Sequence, residues 1–180
     1  MNLSRYLTKF VASLVLVLSY FLLPKYGFVS FDGNLCEDEI VTHLLYPFSH
    51  ANLWHLAANV MCLWMVTCRI RIVPAYIIAF ACSFIPSVSL FDCITNWCIE
   101  GTQEPTMGFS GILFAVVGMS WGKVCKFRTM LWQNKWYLII PAFLPHINFL
   151  IHFYCLMAGY AIGYVFLCKT KICVKRYVNL

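Results

Sequence analysis

The chain has 180 residues, of which 62% are apolar and only 11% are charged. Soluble domains are nearer half apolar and a quarter charged, so a free-standing aqueous domain is excluded. At about 20 apolar residues per bilayer crossing, the length accommodates about six spans in a single membrane domain over residues 1–180. The net charge of +6 comes from scattered Lys and Arg that form no basic stripe, so nucleic acid is not an expected partner.

The ten cysteines do not form a zinc-binding pattern, because no Cys-x-x-Cys pair occurs. Half of them lie within or at the ends of apolar runs, where a thiol behaves as a small hydrophobic group: Cys62, Cys68, Cys82, Cys155 and Cys168. A disulfide among Cys36, Cys93 and Cys98 is left open. We expect neither a metal nor another cofactor.

Six apolar stretches are long enough for membrane-spanning helices. They cover about residues 10–27, 51–68, 72–91, 107–122, 131–145 and 147–168. The first lacks a small-x-small cleavage site, so we expect a retained span rather than a signal peptide. The fifth contains Pro141 and Pro145, which predict a kinked or tilted helix. Since helices satisfy every backbone polar group in lipid, the predicted fold is an all-α, polytopic membrane bundle.

The charged residues between these stretches are sorted by sign. All seven acidic residues fall on one side of the predicted membrane, together with Lys25. Twelve of the thirteen basic residues fall on the other side: Arg5, Lys9, Arg69, Arg71, Lys123, Lys126, Arg128, Lys135, Lys169, Lys171, Lys175 and Arg176. Because Lys and Arg accumulate on the cytoplasmic side, both termini are predicted to be cytoplasmic.

Polar residues inside the predicted spans are few and mark a candidate site. His55 and Asn59 share one face of span two, Ser110 lies near the start of span four, and His152 lies near the start of span six. These three spans all enter from the acidic side, so the four groups are expected at a similar, shallow depth. Small residues would let spans four and six pack closely: Gly111, Ala115, Gly118, Gly159 and Gly163.

These residue types suit acyl transfer. A serine hydroxyl becomes a nucleophile when a base within about 2.6 to 3.2 Å takes its proton, and His152 is the candidate base for Ser110. The spans carry no carboxylate away from their edges, so a Ser–His dyad is expected rather than a triad. His55, Asn59 and the backbone N–H of Ser110 could donate hydrogen bonds to the oxyanion.

Taken together, the motifs resemble the rhomboid family of intramembrane serine proteases. The family's GxSG motif matches Gly108 to Gly111, and its PF-x-H-x-N-x-x-H and His-x-x-x-Asn runs match the stretch from Pro47 to Asn59, including His50. Its last core helix matches His152 and Gly159. The resemblance covers about residues 41–163 and includes the order and spacing of the motifs.

The resemblance implies Ser110 as nucleophile, His152 as base, and an oxyanion site at His55 and Asn59. It implies supporting roles for Gly108, Gly111, His50, Phe114 and Gly159. It also implies that span five is a lateral gate and that residues 28–50 form a membrane-embedded first loop.

Three features of the chain depart from the family pattern. Val41 and Thr42 replace a Trp-Arg pair in the first loop, Cys155 replaces a glycine, and Phe114 replaces a tyrosine. Loss of the arginine bears on the order of the first loop, whereas Phe114 keeps the aromatic ring without its hydroxyl.

The expected function is an intramembrane serine endopeptidase that cleaves transmembrane segments of other membrane proteins near the outer leaflet. The expected location is the plasma (inner) membrane, and the oligomeric state is left open. The alternative is a rhomboid-like pseudoprotease that binds membrane clients without cleaving them. A transporter is disfavoured because the inner halves of the spans are almost wholly apolar. Taken singly, Ser110, His55 and Asn59 could also be helix-packing polar residues.

Overall fold

The computed structural model describes residues 3–27, 37–66, 71–84, 106–124, 126–142 and 148–167. In this part of the chain, every secondary-structure element longer than one residue is a helix, as the apolar pattern predicts. They are α1 (Leu3–Leu22), α2 (Glu37–Leu45), a 3-10 turn (Tyr46–Phe48), α3 (Leu53–Met65), α4 (Ile72–Ser83), α5 (Ser110–Lys123), α6 (Phe127–Ala142) and α7 (Phe149–Ile162). A π turn, Gly163–Leu167, continues α7.

The helix boundaries follow local chemistry more closely than hydropathy. The predicted first span, 10–27, is displaced: α1 begins at Leu3 and ends at Leu22, because Pro24 follows. Helix α6 begins before the predicted 131 and contains Pro141 in its last turn. Asn52 and Asn148 cap α3 and α7 by accepting from the N–H groups of His55 and Ile151.

Helices α1 and α3 pack antiparallel, and lysines tie both ends of the pair. Near the start of α1, the buried Lys9 ammonium donates to the carbonyls of Trp64 and Val66, at 2.8 and 2.5 Å, where α3 ends. Just beyond the end of α1, Lys25 donates to the Ala51 carbonyl at 2.7 Å, immediately before α3. Lys25, the exception to the charge pattern, therefore has a local structural contact.

Helices α5 and α7 run parallel with their backbones in close contact, as the small residues predict. A Cβ added at Gly118 would collide with the backbone of Leu156, and one added at Gly159 would collide with Ala115. The contact continues between Gly122 and Tyr160 and between Gly163 and Met119. The Gly159 to Gly163 pair is thus an intramolecular packing surface, which fixes the register of α5 against α7.

The count of six membrane spans is not confirmed. Within the described residues, Phe149–Leu167 is the one helical segment both long and apolar enough to cross a bilayer. The apolar stretches Tyr6–Leu22, Leu53–Met65 and Ile72–Ser83 are shorter. The third predicted span runs into residues 85–91, outside the described part, and the assignment of residues 1–180 to one domain stays a prediction.

Candidate active site

The starts of α5 and α7 bring Ser110 and His152 together. Ser110 is the first residue of α5 and His152 lies in the first turn of α7, and their Oγ and Nε2 atoms are 2.7 Å apart. The parallel, glycine-lined packing described above produces this contact between residues 42 positions apart. Within the described residues, His152 is the hydrogen-bond partner of Ser110 Oγ, so the hydroxyl does not bond back to a helix carbonyl.

The imidazole of His152 is held by packing. The ring of Phe114 stacks on it with 4.6 Å between centroids and an interplanar angle of 16°. His152 is buried, and its Nδ1 atom has no partner in the described part of the chain. If Ser110 donates its proton to Nε2, the neutral ring carries its own proton on Nδ1. All seven acidic side chains lie outside the described part of the chain, so the absence of a third catalytic member stays a prediction.

His55 and Asn59 lie against Gly108, two residues before the serine. A Cβ built on Gly108 would be 2.7 Å from His55 Nε2 and 3.5 Å from Asn59 Nδ2, so only a glycine leaves room for these side chains. Gly108 also has a φ of +118°, which disfavours other residues. The Asn59 amide donates to the His55 carbonyl at 3.0 Å and keeps its second N–H for another acceptor.

His50 is packed beside His55 on the side of the first loop. Its side chain is fully buried, its ring centroid is 5.2 Å from that of His55, and neither of its ring nitrogens has a partner in the described residues. Burial, and then the proximity of His55, lower the pKa of His50 to about 4. His50 is therefore neutral at physiological pH and supports His55 by packing.

A second serine–histidine contact was not expected from the sequence. His43 lies in α2, and its Nδ1 atom is 2.7 Å from Ser83 Oγ at the end of α4. The His43 ring also stacks on Phe84 at 4.0 Å. Its signal in the sequence was weak, because α2 is short and the partner lies 40 residues away.

The two contacts differ in the acceptors that are available to the serine hydroxyl. Ser83 Oγ is 2.6 Å from the Phe80 carbonyl, which can only accept, so its proton points there and His43 Nδ1 donates to the oxygen. Ser83 is also fully buried. Ser110 is half-buried, and its hydroxyl has no carbonyl acceptor among the described residues, which leaves its proton available to His152 Nε2. Distance alone does not separate the two pairs, whereas the carbonyl acceptor beside Ser83 and the greater exposure of Ser110 do.

Asn148 joins the two halves of the site and was missed at the sequence level. Its Oδ1 atom caps α7 by accepting from the N–H of Ile151 at 3.2 Å. Its Nδ2 atom donates to Thr106 Oγ1 at 2.8 Å, just before Gly108. The start of α7 is thereby fixed to the segment that leads into Ser110.

The residues that depart from the family pattern lie in different environments. Val41 is exposed and Thr42 is half-buried in α2. Cys155 is fully buried and its sulfur packs beside Gly111, 3.4 Å from where a Cβ there would lie. Cys36, Cys93 and Cys98 lie outside the described residues, so the question of a disulfide stays open.

Comparison with known proteins gives one match. No curated protein and no solved structure matches the chain. The family model of the Rhomboid domain matches residues 37–169, which is well over half of the sequence and includes every residue of the site. The match begins at α2 and ends just beyond the π turn. This chain therefore belongs to the rhomboid family, and it is an integral membrane protein built as a helical bundle.

Proposed function

We propose that this protein is an intramembrane serine endopeptidase that cleaves transmembrane segments of other membrane proteins through a Ser110–His152 dyad. The observation that carries the proposal is the 2.7 Å contact between Ser110 Oγ and His152 Nε2 within a rhomboid domain. That separation is within the reach needed for proton transfer from a nucleophile to its base. The burial of the imidazole and its stacking on Phe114 hold the base in place.

The proposed reaction uses the contact between Ser110 Oγ and His152 Nε2. Ser110 Oγ attacks the carbonyl carbon of the scissile peptide while its proton passes to His152 Nε2. The tetrahedral intermediate collapses as the imidazolium gives that proton to the departing amine, leaving an ester on Ser110. His152 then takes a proton from a water molecule that attacks the ester, and the proton returns to Ser110 as the new carboxyl end leaves.

The oxyanion would be stabilised by donors at the start of α5. This helix has no side-chain cap, unlike α3 and α7, and the first N–H groups of a helix have no partner within it. We assign the Ser110 N–H, at this uncapped helix start, as one donor to the oxyanion. His55 and the free N–H of Asn59, both against Gly108, are the side-chain donors we assign to the oxyanion. One such donor is typically worth about 10²- to 10³-fold in rate.

The site supports cleavage near one face of the membrane. Ser110 begins α5, while His55 and His152 lie in the first turns of α3 and α7. The same ends of these helices adjoin the acidic side in the charge pattern. We assign that side to the outer leaflet and both termini to the cytoplasm, with the plasma (inner) membrane as the location.

Covalent labelling tests the nucleophile. The detergent-solubilised protein should react with a fluorophosphonate or isocoumarin probe, and Ser110→Ala and His152→Ala should abolish the labelling. Ser120→Ala is a matched control on the same helix, because Ser120 Oγ donates to the Val116 carbonyl at 2.9 Å. Ser83→Ala controls for the other serine–histidine contact, and both controls should keep the labelling.

Cleavage is measured separately, in proteoliposomes with a single-span test substrate. Peptide mass spectrometry of the products should place the cut near the outer end of the substrate helix. Wild-type protein that neither labels nor cleaves, although folded, would remove the proposal and favour a client-binding pseudoprotease. Cleavage that persists in Ser110→Ala would remove the assignment of the nucleophile.

A further inference from the structure

The first-loop segment, defined as residues 37–50, is fixed to α4 by side-chain hydrogen bonds. Besides the contact between His43 and Ser83, the Tyr76 hydroxyl donates to the Leu44 carbonyl at 2.7 Å. The Tyr46 hydroxyl donates to the Ala79 carbonyl at 3.1 Å. The segment is thus held along α4 over about two turns.

Of these anchors, Tyr46 also contacts the residues around the nucleophile. Its backbone carbonyl accepts from the Gly108 N–H at 2.9 Å, and its hydroxyl lies 3.3 Å from where a Cβ on Gly111 would be. Tyr46 therefore contacts both glycines that flank the Phe109–Ser110 pair. The side chain is 1% exposed, and this burial raises the pKa of Tyr46 well above its usual value, so the hydroxyl remains a donor.

The contact matters because of the conformation of Gly108. Its positive φ of +118° sets the direction in which the chain enters α5, and its close approach to His55 and Asn59 leaves little room for displacement. The hydrogen bond from the Gly108 N–H fixes this peptide against Tyr46. The Tyr46 carbonyl can hold Gly108 in place only if Tyr46 itself is fixed, and its hydroxyl bond to α4 supplies that anchor.

We propose that Tyr46 is a positioning residue that aligns the Gly108–Ser110 turn with the oxyanion donors by connecting it to α4. The inference rests on the proposed protease function. Loss of the hydroxyl should displace the turn relative to His55 and Asn59 without removing any group that touches the substrate. Small misplacements of this kind cost up to about 10²-fold in rate.

The test compares Tyr46→Phe with Tyr76→Phe in the full-length protein. Each variant removes one hydroxyl bond between the first-loop segment and α4, and only Tyr46 contacts the turn. We expect both to lower the melting temperature by similar small amounts. We expect Tyr46→Phe alone to lower kcat and the probe-labelling rate about tenfold or more, with KM changed less than twofold.

Hydrogen exchange at Gly108 gives a readout that does not depend on activity. Its amide should be protected in the wild type, lose protection in Tyr46→Phe and keep it in Tyr76→Phe. A wild-type Gly108 amide that exchanges as fast as an exposed loop would overturn the inference, as would equal rate losses in the two variants. If the wild type neither labels nor cleaves, the proposed function fails, whereas an active wild type with an unaffected Tyr46→Phe defeats this inference alone.

Discussion

Adding one methyl group at Gly159 tests whether the glycine contact between α5 and α7 sets the geometry of the dyad. Gly159 lies seven residues after His152, about 10 Å along α7. A Cβ there would lie 2.9 Å from the Cα of Ala115 and closer still to its carbonyl oxygen. Gly159→Ala therefore pushes the two helices apart near the site.

The expected magnitude follows from these distances. Carbon atoms pack best at about 3.5 to 4.0 Å, so the helices must separate by about 1 Å at this level. Overpacking of this kind typically costs about 1–3 kcal/mol of unfolding free energy. A similar opening at the dyad would stretch the 2.7 Å contact between Ser110 and His152 beyond the reach of about 3.2 Å. We expect a loss of roughly 10²-fold in probe-labelling rate.

Gly163→Ala is the matched control, because its Cβ would lie 2.7 Å from the Cα of Met119 in the same helix interface. It is 11 residues from His152, one turn farther than Gly159. Both variants should lower the melting temperature in detergent, while Gly159→Ala should lower labelling more. Ala161→Leu, at an exposed position of α7, should change neither quantity. Equal labelling in Gly159→Ala and the wild type would refute the reasoning.

Three further predictions concern other contacts. Acidification from pH 6.5 to 4 should lower the unfolding free energy by about 3 kcal/mol through His50. Burial lowers the pKa of His50 in the folded protein to about 4, so in this pH range the proton is taken up mainly by the unfolded chain. Lys9→Met should cost about 1–3 kcal/mol, since a buried ammonium that caps the end of α3 is lost, whereas exposed Lys25→Met should cost far less. Asn148→Ala should cost about 1–2 kcal/mol and also slow labelling, because it uncaps α7 and releases Thr106.

Each of these outcomes has a defined measurement. The melting temperature should change less between pH 4 and pH 7 in His50→Gln than in the wild type. An equal dependence of the melting temperature on pH in the two proteins would contradict the assigned pKa of His50. Equal decreases in melting temperature for Lys9→Met and Lys25→Met would show that burial of the Lys9 ammonium is unimportant. For Asn148→Ala, the control is Asn52→Ala, which uncaps α3 without touching Thr106. The reasoning fails if Asn148→Ala slows labelling no more than that control.

Much of the arrangement around Ser110 could be predicted from the sequence. The 3.6-residue periodicity places His55 and Asn59 on one face, and the small residues predict the close contact of α5 with α7 that brings His152 to Ser110. These signals are local, so they can be read along the chain. The helix ends were predicted less well. The first span was predicted to begin at residue 10 because a hydropathy pattern treats Lys9 as exposed, whereas Lys9 is buried against the end of α3.

The contacts that hold the first-loop segment could not be predicted. His43 pairs with Ser83, and the Tyr46 carbonyl reaches Gly108, 62 residues later in the chain. A tyrosine in an apolar stretch has no periodic signal that separates an anchor from a lipid-facing ring. Likewise, nothing in the sequence indicates that the Asn148 amide links α7 to Thr106.

The anchoring of the first-loop segment bears on the choice between cleavage and client binding. The resemblance implies an arginine at the position of Thr42 that helps to order this loop. Its absence is one of the departures, with Val41 and Cys155, that keep an inactive relative open. In this chain, Tyr46 and His43 supply buried hydrogen bonds to α4 from the same segment. A packing role would also be met by an apolar residue at position 152. Such a residue would avoid burying an Nδ1 atom that has no partner among the described residues, which costs roughly 1–3 kcal/mol. A buried imidazole within 2.7 Å of the Ser110 hydroxyl is an arrangement that the proposed protease requires and that client binding does not.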